Sequence, residues 1–163
     1  MTDFDSVYDR NAARVYRLCL VRLGRREDAE DALQNVFMRW LRLLPDFESA
    51  EHEKAYFLRA AHNECVNIKR SLIRHNRVEF DDLPEQLISY TDDTERFEVG
   101  EILRLIAPKY RELLCMFYYE DMTSAEIAKI LGRNESTVRT QLQKAREAVR
   151  KILKEEDNND EKE

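Results

Sequence analysis

TSAEIAKILGRNESTVRTQLQKAREAVRKIL, Thr123–Leu153, is the stretch that decides the fold. Its first four residues have the form of a capping box: the Thr123 hydroxyl can accept from the amide three residues on, while Glu126 reaches back to the cap amide. Ile127, Ala128 and Leu131 follow at helical spacing. Gly132 then supplies the positive φ that a tight turn between helices needs, and Asn134 can cap the next helix. Val138, Leu142, Ala145 and Val149 give that second helix a buried side. A small residue at 128, a turn glycine at 132 and a core aliphatic at 138 together predict a helix-turn-helix. On the opposite side, at about 100° per residue, lie Ser136, Thr137, Thr140, Gln143, Lys144 and Lys151, with Arg139, Arg146 and Arg150 along one edge. Hydroxyls, an amide and a lysine suit base edges in a major groove, and flanking arginines suit phosphates. The competing reading is an ordinary helical hairpin with a solvated charged face.

Around this motif the C-terminal block predicts four helices, at about 101–107, 109–119, 124–131 and 135–153. The closing EEDNNDEKE reads as a solvated, frayed end. Upstream, EFDDLPEQLISYTDDTERFEVG (79–100) breaks all periodicity. Pro84, paired acids and Gly100 mark it as an exposed linker. The expected organisation is therefore a first domain over 1–78, an acidic linker over 79–100, a second domain over 101–154 and an acidic tail over 155–163.

The first block predicts three helices. One runs from about Phe4 to Leu23, with Tyr8, Ala12, Val15 and Cys19 on its apolar side and Gly24 to stop it. The second runs from about Glu27 to Leu44, opens on acids that complement the helix dipole and stops at Pro45. Its apolar face is Ala29, Leu33, Val36, Phe37, Trp40, Leu41 and Leu44; its outer face is Glu27, Asp31, Asn35, Met38 and Arg42, flanked by Gln34. An apolar residue amid polar ones suits a protein partner. The third runs from about His52 to Arg74, with a seam of Leu58, Ala61, Cys65, Ile68 and Leu72. Opposite that seam stand Tyr56, Arg59, Asn63, Asn67, Arg70 and Arg74, with no carboxylate among them although the chain has 33 acids. Arginines for phosphates, asparagines for base edges and an aromatic to stack on an unpaired base point to a polyanion.

Composition agrees. The chain has 163 residues and a net charge of −6. That charge is unevenly spread, with +2 over 1–78, −7 over 79–100, +4 over 101–154 and −5 over 155–163. Local charge is what a polyanion meets. Three glycines and three prolines are too few for the turns of a many-stranded sheet, so the expected fold class is all-α, in two small helical domains. No apolar run approaches the roughly 20 residues of a membrane span. Cys19, Cys65 and Cys115 are isolated and odd in number, which fits a reducing cytosol better than a disulfide framework or a zinc ribbon. His52, His62 and His75 lack metal-ligand spacing, and no phosphate-binding glycine loop is present. The sequence thus predicts neither an enzyme nor a cofactor.

In both blocks the chain resembles the sigma factors of bacterial RNA polymerase, in particular the small extracytoplasmic-function (ECF) group. REDAEDALQNVFMRWLRLLPDF (Arg26–Phe47) is similar to the family's core-binding helix, and AYFLRAAHNECVNIKR (Ala55–Arg70) lies where its minus-ten reading helix sits. LIAPKYRELLCMFYYEDMTSAEIAKILGRNESTVRTQLQKAREAVRKIL resembles the family's region four. The resemblance implies a dissociable initiation factor whose partners are core RNA polymerase and promoter DNA, with an anti-sigma protein common in the family. It implies that Asp28, Asp31, Gln34, Asn35 and Met38 face polymerase. It implies a loop around Phe47–Glu53 that captures a flipped base, with Tyr56, Arg59, Asn63, Asn67, Arg70 and Arg74 on the melted minus-ten strand. Ser136, Thr137, Arg139, Thr140, Gln143, Lys144 and Arg146 would meet the minus-thirty-five duplex. His62 stands where the family often has Arg, and Glu64 where it often has an apolar residue. A stand-alone helix-turn-helix regulator and a purely protein-binding adaptor are the alternatives.

Overall fold

The computed structural model describes residues 3–74 and 104–161, and all regular structure among them is helical. The linker 79–100 and the first three residues of the helix expected at 101–107 lie outside the described residues; of the rest only Arg104 is helical, and 105–107 form a turn that leads into Pro108.

Helix α1 (Phe4–Leu23) ends at Gly24, whose φ of 73° lets its N–H donate to the Leu20 carbonyl. Helix α2 (Arg26–Leu43) ends on Leu44, itself left-handed at φ 39°, with its N–H on the Trp40 carbonyl. Helix α3 (Ala50–Arg74) begins two residues before the expected start. Ser49 is the reason: its carbonyl accepts from Glu53 N–H and its hydroxyl from His52 N–H, so the serine caps the helix.

The three helices close on an aromatic core. Phe37 stacks on Phe57 at 5.1 Å and meets Trp40 edge-on at 6.3 Å. Phe4 and Tyr8 of α1 stack at 5.6 Å and lean on Phe37. Phe47, from the loop after α2, packs against Tyr56 and Phe57. Two leucines depart from the expected apolar face of α2: Leu41 is 46% exposed and Leu44 59%. Leu41 lies about 100° round from Trp40, and the left-handed turn at Leu44 carries its side chain off the helix.

In the second half Pro108 opens helix α4 (Pro108–Leu114), the position where its missing N–H costs nothing. The single helix expected at 109–119 is instead α4 followed by a π turn over Cys115–Tyr119. There Glu120 N–H donates to the Cys115 carbonyl at 3.3 Å, five residues back. Helix α5 (Ser124–Leu131) starts on the foreseen capping box and stops at Gly132, φ 65°. Helix α6 spans Glu135–Glu161, well past the expected end near 153. No glycine or proline follows Gly132, so nothing in the backbone stops the helix.

The halves pack together, α4 against α1 and α5 against α3.

Candidate functional site

Three outward faces result, and each is set by the phase of one helix.

On α6, burial of Val138, Leu142 and Ala145 turns Ser136, Thr137, Arg139, Thr140, Gln143 and Lys144 to solvent. All six are exposed on one recognition-type helix. The Thr140 hydroxyl donates to the Ser136 carbonyl at 3.0 Å, which fixes its rotamer. Arg146 is placed differently from the other six. Its guanidinium lies 4.6 Å above the Phe117 ring and its Nε donates to the Tyr118 hydroxyl at 3.3 Å. It braces α6 against the π turn. Arg133, in the interhelical turn, donates to Gln141 at 2.9 Å and ties the turn to α6. Nothing in the local sequence pattern marks Arg133 for this contact.

On α3, Phe57, Leu58, Ala61 and Cys65 are buried, and Arg59, Asn63, Asn67, Arg70 and Arg74 are exposed. Tyr56 is half-buried against Phe47 and Phe57, and burial pushes its phenol up from the usual value, countered by Arg39. Phe47 is likewise half-buried and anchors the loop rather than projecting from it. Arg59 donates through Nη2 to the Lys129 carbonyl of α5, 3.1 Å away.

On α2, Asp31, Gln34, Asn35 and Met38 are exposed, Met38 by 52%. Leu41, Leu43 and Leu44 extend this into an apolar patch at the helix end. Leu41 and Leu44 carry a signal that hydropathy at helical spacing reads as core. Asn35 donates to Glu64 of α3 at 2.9 Å, so the unusual acid at 64 orients a residue of the α2 face. Asp28 is partly buried beside Arg25, at 3.9 Å; desolvation raises its carboxyl pKa, and the arginine only partly offsets this.

The structure thus holds a helix-turn-helix with a polar outer face on α6, a basic and amide face on α3, and exposed leucines at the end of α2. The comparisons say which class this is. The Sigma-70 region 2 model matches residues 7–77, and the Sigma-70 region 4 model matches residues 96–149. The two models fall in the order of the two halves, and the chain belongs to the sigma-70 family, in its ECF group. It is 29% identical to the ECF RNA polymerase sigma factor SigL of Mycobacterium tuberculosis, over 92% of this chain and 88% of that protein. It is 26% identical to the ECF sigma factor SigW of Bacillus subtilis, over 93% and 89%. The fold matches that of the sigma factor RpoE of Bartonella quintana, solved in complex with the anti-sigma factor NepR. The TM-score is 0.77 at 17% identity, over 94% of this chain and 98% of that one. Among the described residues no helix is long and apolar enough to cross a membrane.

Proposed function

We propose that the three faces divide promoter recognition among them. The α2 face, Asp31, Gln34, Asn35 and Met38 with the leucines beyond, docks on core RNA polymerase, and Asp28 shapes the start of that surface. The α3 face holds the separated minus-ten strand, with Arg59, Arg70 and Arg74 on phosphates and Asn63 and Asn67 on base edges. Tyr56 offers a ring for a flipped base, and Phe47 keeps that ring in place. The α6 face reads the minus-thirty-five duplex through Ser136, Thr137, Thr140, Gln143 and Lys144, while Arg139 contacts phosphate. Arg146 supports this face through Phe117 and Tyr118. The observation that carries the reading is that both regions of the family are matched and each presents its polar helix face to solvent.

The mechanism needs no catalysis by this chain. Extruding a base from the duplex costs a few kcal/mol. Stacking on an aromatic ring returns about 1–3 kcal/mol per base, and polymerase binding supplies the rest by holding both elements on one body. Polymerase is also what sets the place of action, in the cytoplasm with the nucleoid. An anti-sigma protein would act by covering the α2 or α3 face. A stand-alone regulator or an adaptor would leave the match of residues 7–77 to region 2 without a purpose.

The test is to add purified protein to core RNA polymerase on sheared genomic DNA and sequence the transcript starts. New starts that share two elements are expected. Tyr56→Ala with Asn63→Ala should lower open-complex formation and leave duplex binding intact. Lys144→Ala with Gln143→Ala should relax the upstream element and leave the downstream one. Absence of new starts together with absence of binding to core would overturn the reading.

A further inference from the structure

The arginines of this chain are held in two ways. In the first half Arg10 goes to Glu53, Arg14 and Arg17 go to Glu120, and Arg26 goes to Glu30, all of them carboxylates. Around the helix-turn-helix the partners are neutral. Arg133 donates through Nη1 to Gln141 Oε1 at 2.9 Å. Arg146 lies over the Phe117 ring and donates to the Tyr118 hydroxyl. Among the described residues no carboxylate pairs with either.

The difference is chemical. A carboxylate orients a guanidinium and cancels its charge, whereas an amide orients it and leaves the charge whole. Arg133 is also fixed at its backbone, where its own N–H and that of Gly132 both donate to the Ala128 carbonyl. Its side chain is half-buried; one of its donors is spent on Gln141, and the rest remain for an anion.

Helical phase says where that anion lies. Thr140 stands at the middle of the exposed face of α6, with Ser136 and Gln143 to one side and Thr137 and Lys144 to the other. Its neighbours in sequence lie about 100° to either side, Arg139 at one edge and Gln141 at the other. A helix about 10–12 Å across fills a major groove about 12 Å wide, so its two flanks meet the phosphates of the two strands. Arg139, Arg146 and Arg150 all lie along the first edge. The tie to Gln141 brings Arg133 to the flank where α6 has no arginine of its own.

We infer that Arg133 is a phosphate-binding residue and Gln141 its positioning residue, so that Arg133 and Arg139 straddle the groove and grip opposite strands. This grip rests on α6 reading the duplex, as proposed above.

The experiment uses the holoenzyme of core polymerase with the full chain, on a promoter taken from the mapped transcript starts. Single methylphosphonates, each of which removes one phosphate charge, are placed in turn along both strands of its upstream element. Arg133→Gln should lower affinity about tenfold, make the salt slope shallower by about 1 and keep the base preferences of the element. At one phosphate of one strand the methylphosphonate should cost the parent about tenfold and the Arg133→Gln protein nothing further. Arg139→Gln should show the same coupling to a phosphate of the other strand. Gln141→Glu separates holding from charge. It turns the tie into an ion pair, so the melting temperature should hold or rise, yet affinity should fall and the coupling to the Arg133 phosphate should vanish. A bond that only braces the turn would leave that coupling absent in the parent as well. Coupling of Arg139 without Arg133, or of both to the same strand, would overturn the inference and leave the duplex reading standing. An upstream element in which no phosphate couples to either arginine would overturn both.

Discussion

The two halves of this molecule solve the small-domain problem differently. The first closes three helices on rings: Phe37, Trp40 and Phe57 at its centre, and Phe4, Tyr8, Phe47 and Tyr56 around them. The second has a lean aliphatic core, Leu113, Met116, Ile127, Val138 and Leu142, and buries Arg111, Glu112 and Glu120 as well. A charge is rarely buried unless it is paired. Glu112 and Glu120 find their partners across the seam, in α1 and α3. The buried charges of the second half are thus completed by its neighbour.

The sharpest break of the comparison is at the ring cluster. Trp40 is 1% exposed and touches Phe4, Phe37 and Phe57. Trp40→Ala should cost about 3–5 kcal/mol by lost burial and the cavity left behind, read as a fall in the urea midpoint. A loss below about 1 kcal/mol would mean that the rings are not what holds the first half.

In the second half the backbone of the interhelical turn comes next. Gly132 stands at φ 65°, and a Cβ built there meets nothing within 4 Å. Gly132→Ala therefore isolates conformational strain, about 1–2 kcal/mol for a left-handed L-residue, with no steric term. The midpoint should drop by that amount while the recognition face keeps its DNA contacts. A neutral result would show that the turn can relax without disturbing α5 and α6.

These two sites also show what the sequence made legible. Gly132, the Thr123 capping box and the phase of α6 could be read because each is local: the residues that interact lie within four positions of one another. The exposed stripes of α3 and α6 follow from helical periodicity for the same reason. The π turn at Cys115–Tyr119 could not be read, because the apolar run around it fits an α-helix equally well. The exposure of Leu41 and Leu44 was also out of reach, since hydropathy does not distinguish a buried leucine from an exposed one. Charge and phase group Arg146 with the other polar residues of α6, and its contact with Phe117, 29 positions away, is not local enough to read. The pairs across the seam are the extreme case. His62 and Glu112 are 50 residues apart, and Arg14 and Glu120 106. Both acids read as ordinary surface charge until the partner helix is in place.

A smaller effect tests the local cap itself. Glu126 N–H donates to Thr123 Oγ1 at 3.2 Å, and the glutamate carboxylate accepts in return from the Thr123 N–H at 3.4 Å and hydroxyl at 3.0 Å. Thr123→Ala should cost about 1 kcal/mol, and Thr123→Ser should restore most of it. Equal losses for the two variants would mean that the hydroxyl is not the operative group.

The smallest effect lies at the rim of the first half, where the ion pair that ties α1 to α3 contrasts with the buried carboxylates of the seam. Glu53 accepts from Arg10 at 2.9 and 3.1 Å and from Asn11 at 2.7 Å. The Arg10 hydrogen bond is the main cause that holds the Glu53 carboxyl below its usual value of 4.5; desolvation opposes it, and Asn11 adds to it. A folded-state value below the unfolded one means that the unfolded chain binds the proton more readily. The pair therefore contributes stability above about pH 4.5, and the contribution is lost as the pH falls through the lower folded value. Asp28 has the opposite sign, because burial raises its carboxyl. Its contribution improves as the pH falls, and it partly masks the Glu53 effect in the parent protein. Glu53→Gln removes the titration while keeping an acceptor for Asn11. At pH 7 the variant should melt slightly below the parent, and the two melting curves should converge as the pH drops below about 4.5. Arg10 is half-exposed, so added salt should shrink the difference at pH 7. A gap between parent and variant that stayed constant from pH 7 to pH 3 would assign the effect to packing. The rim pair would then belong with the apolar core of the first half.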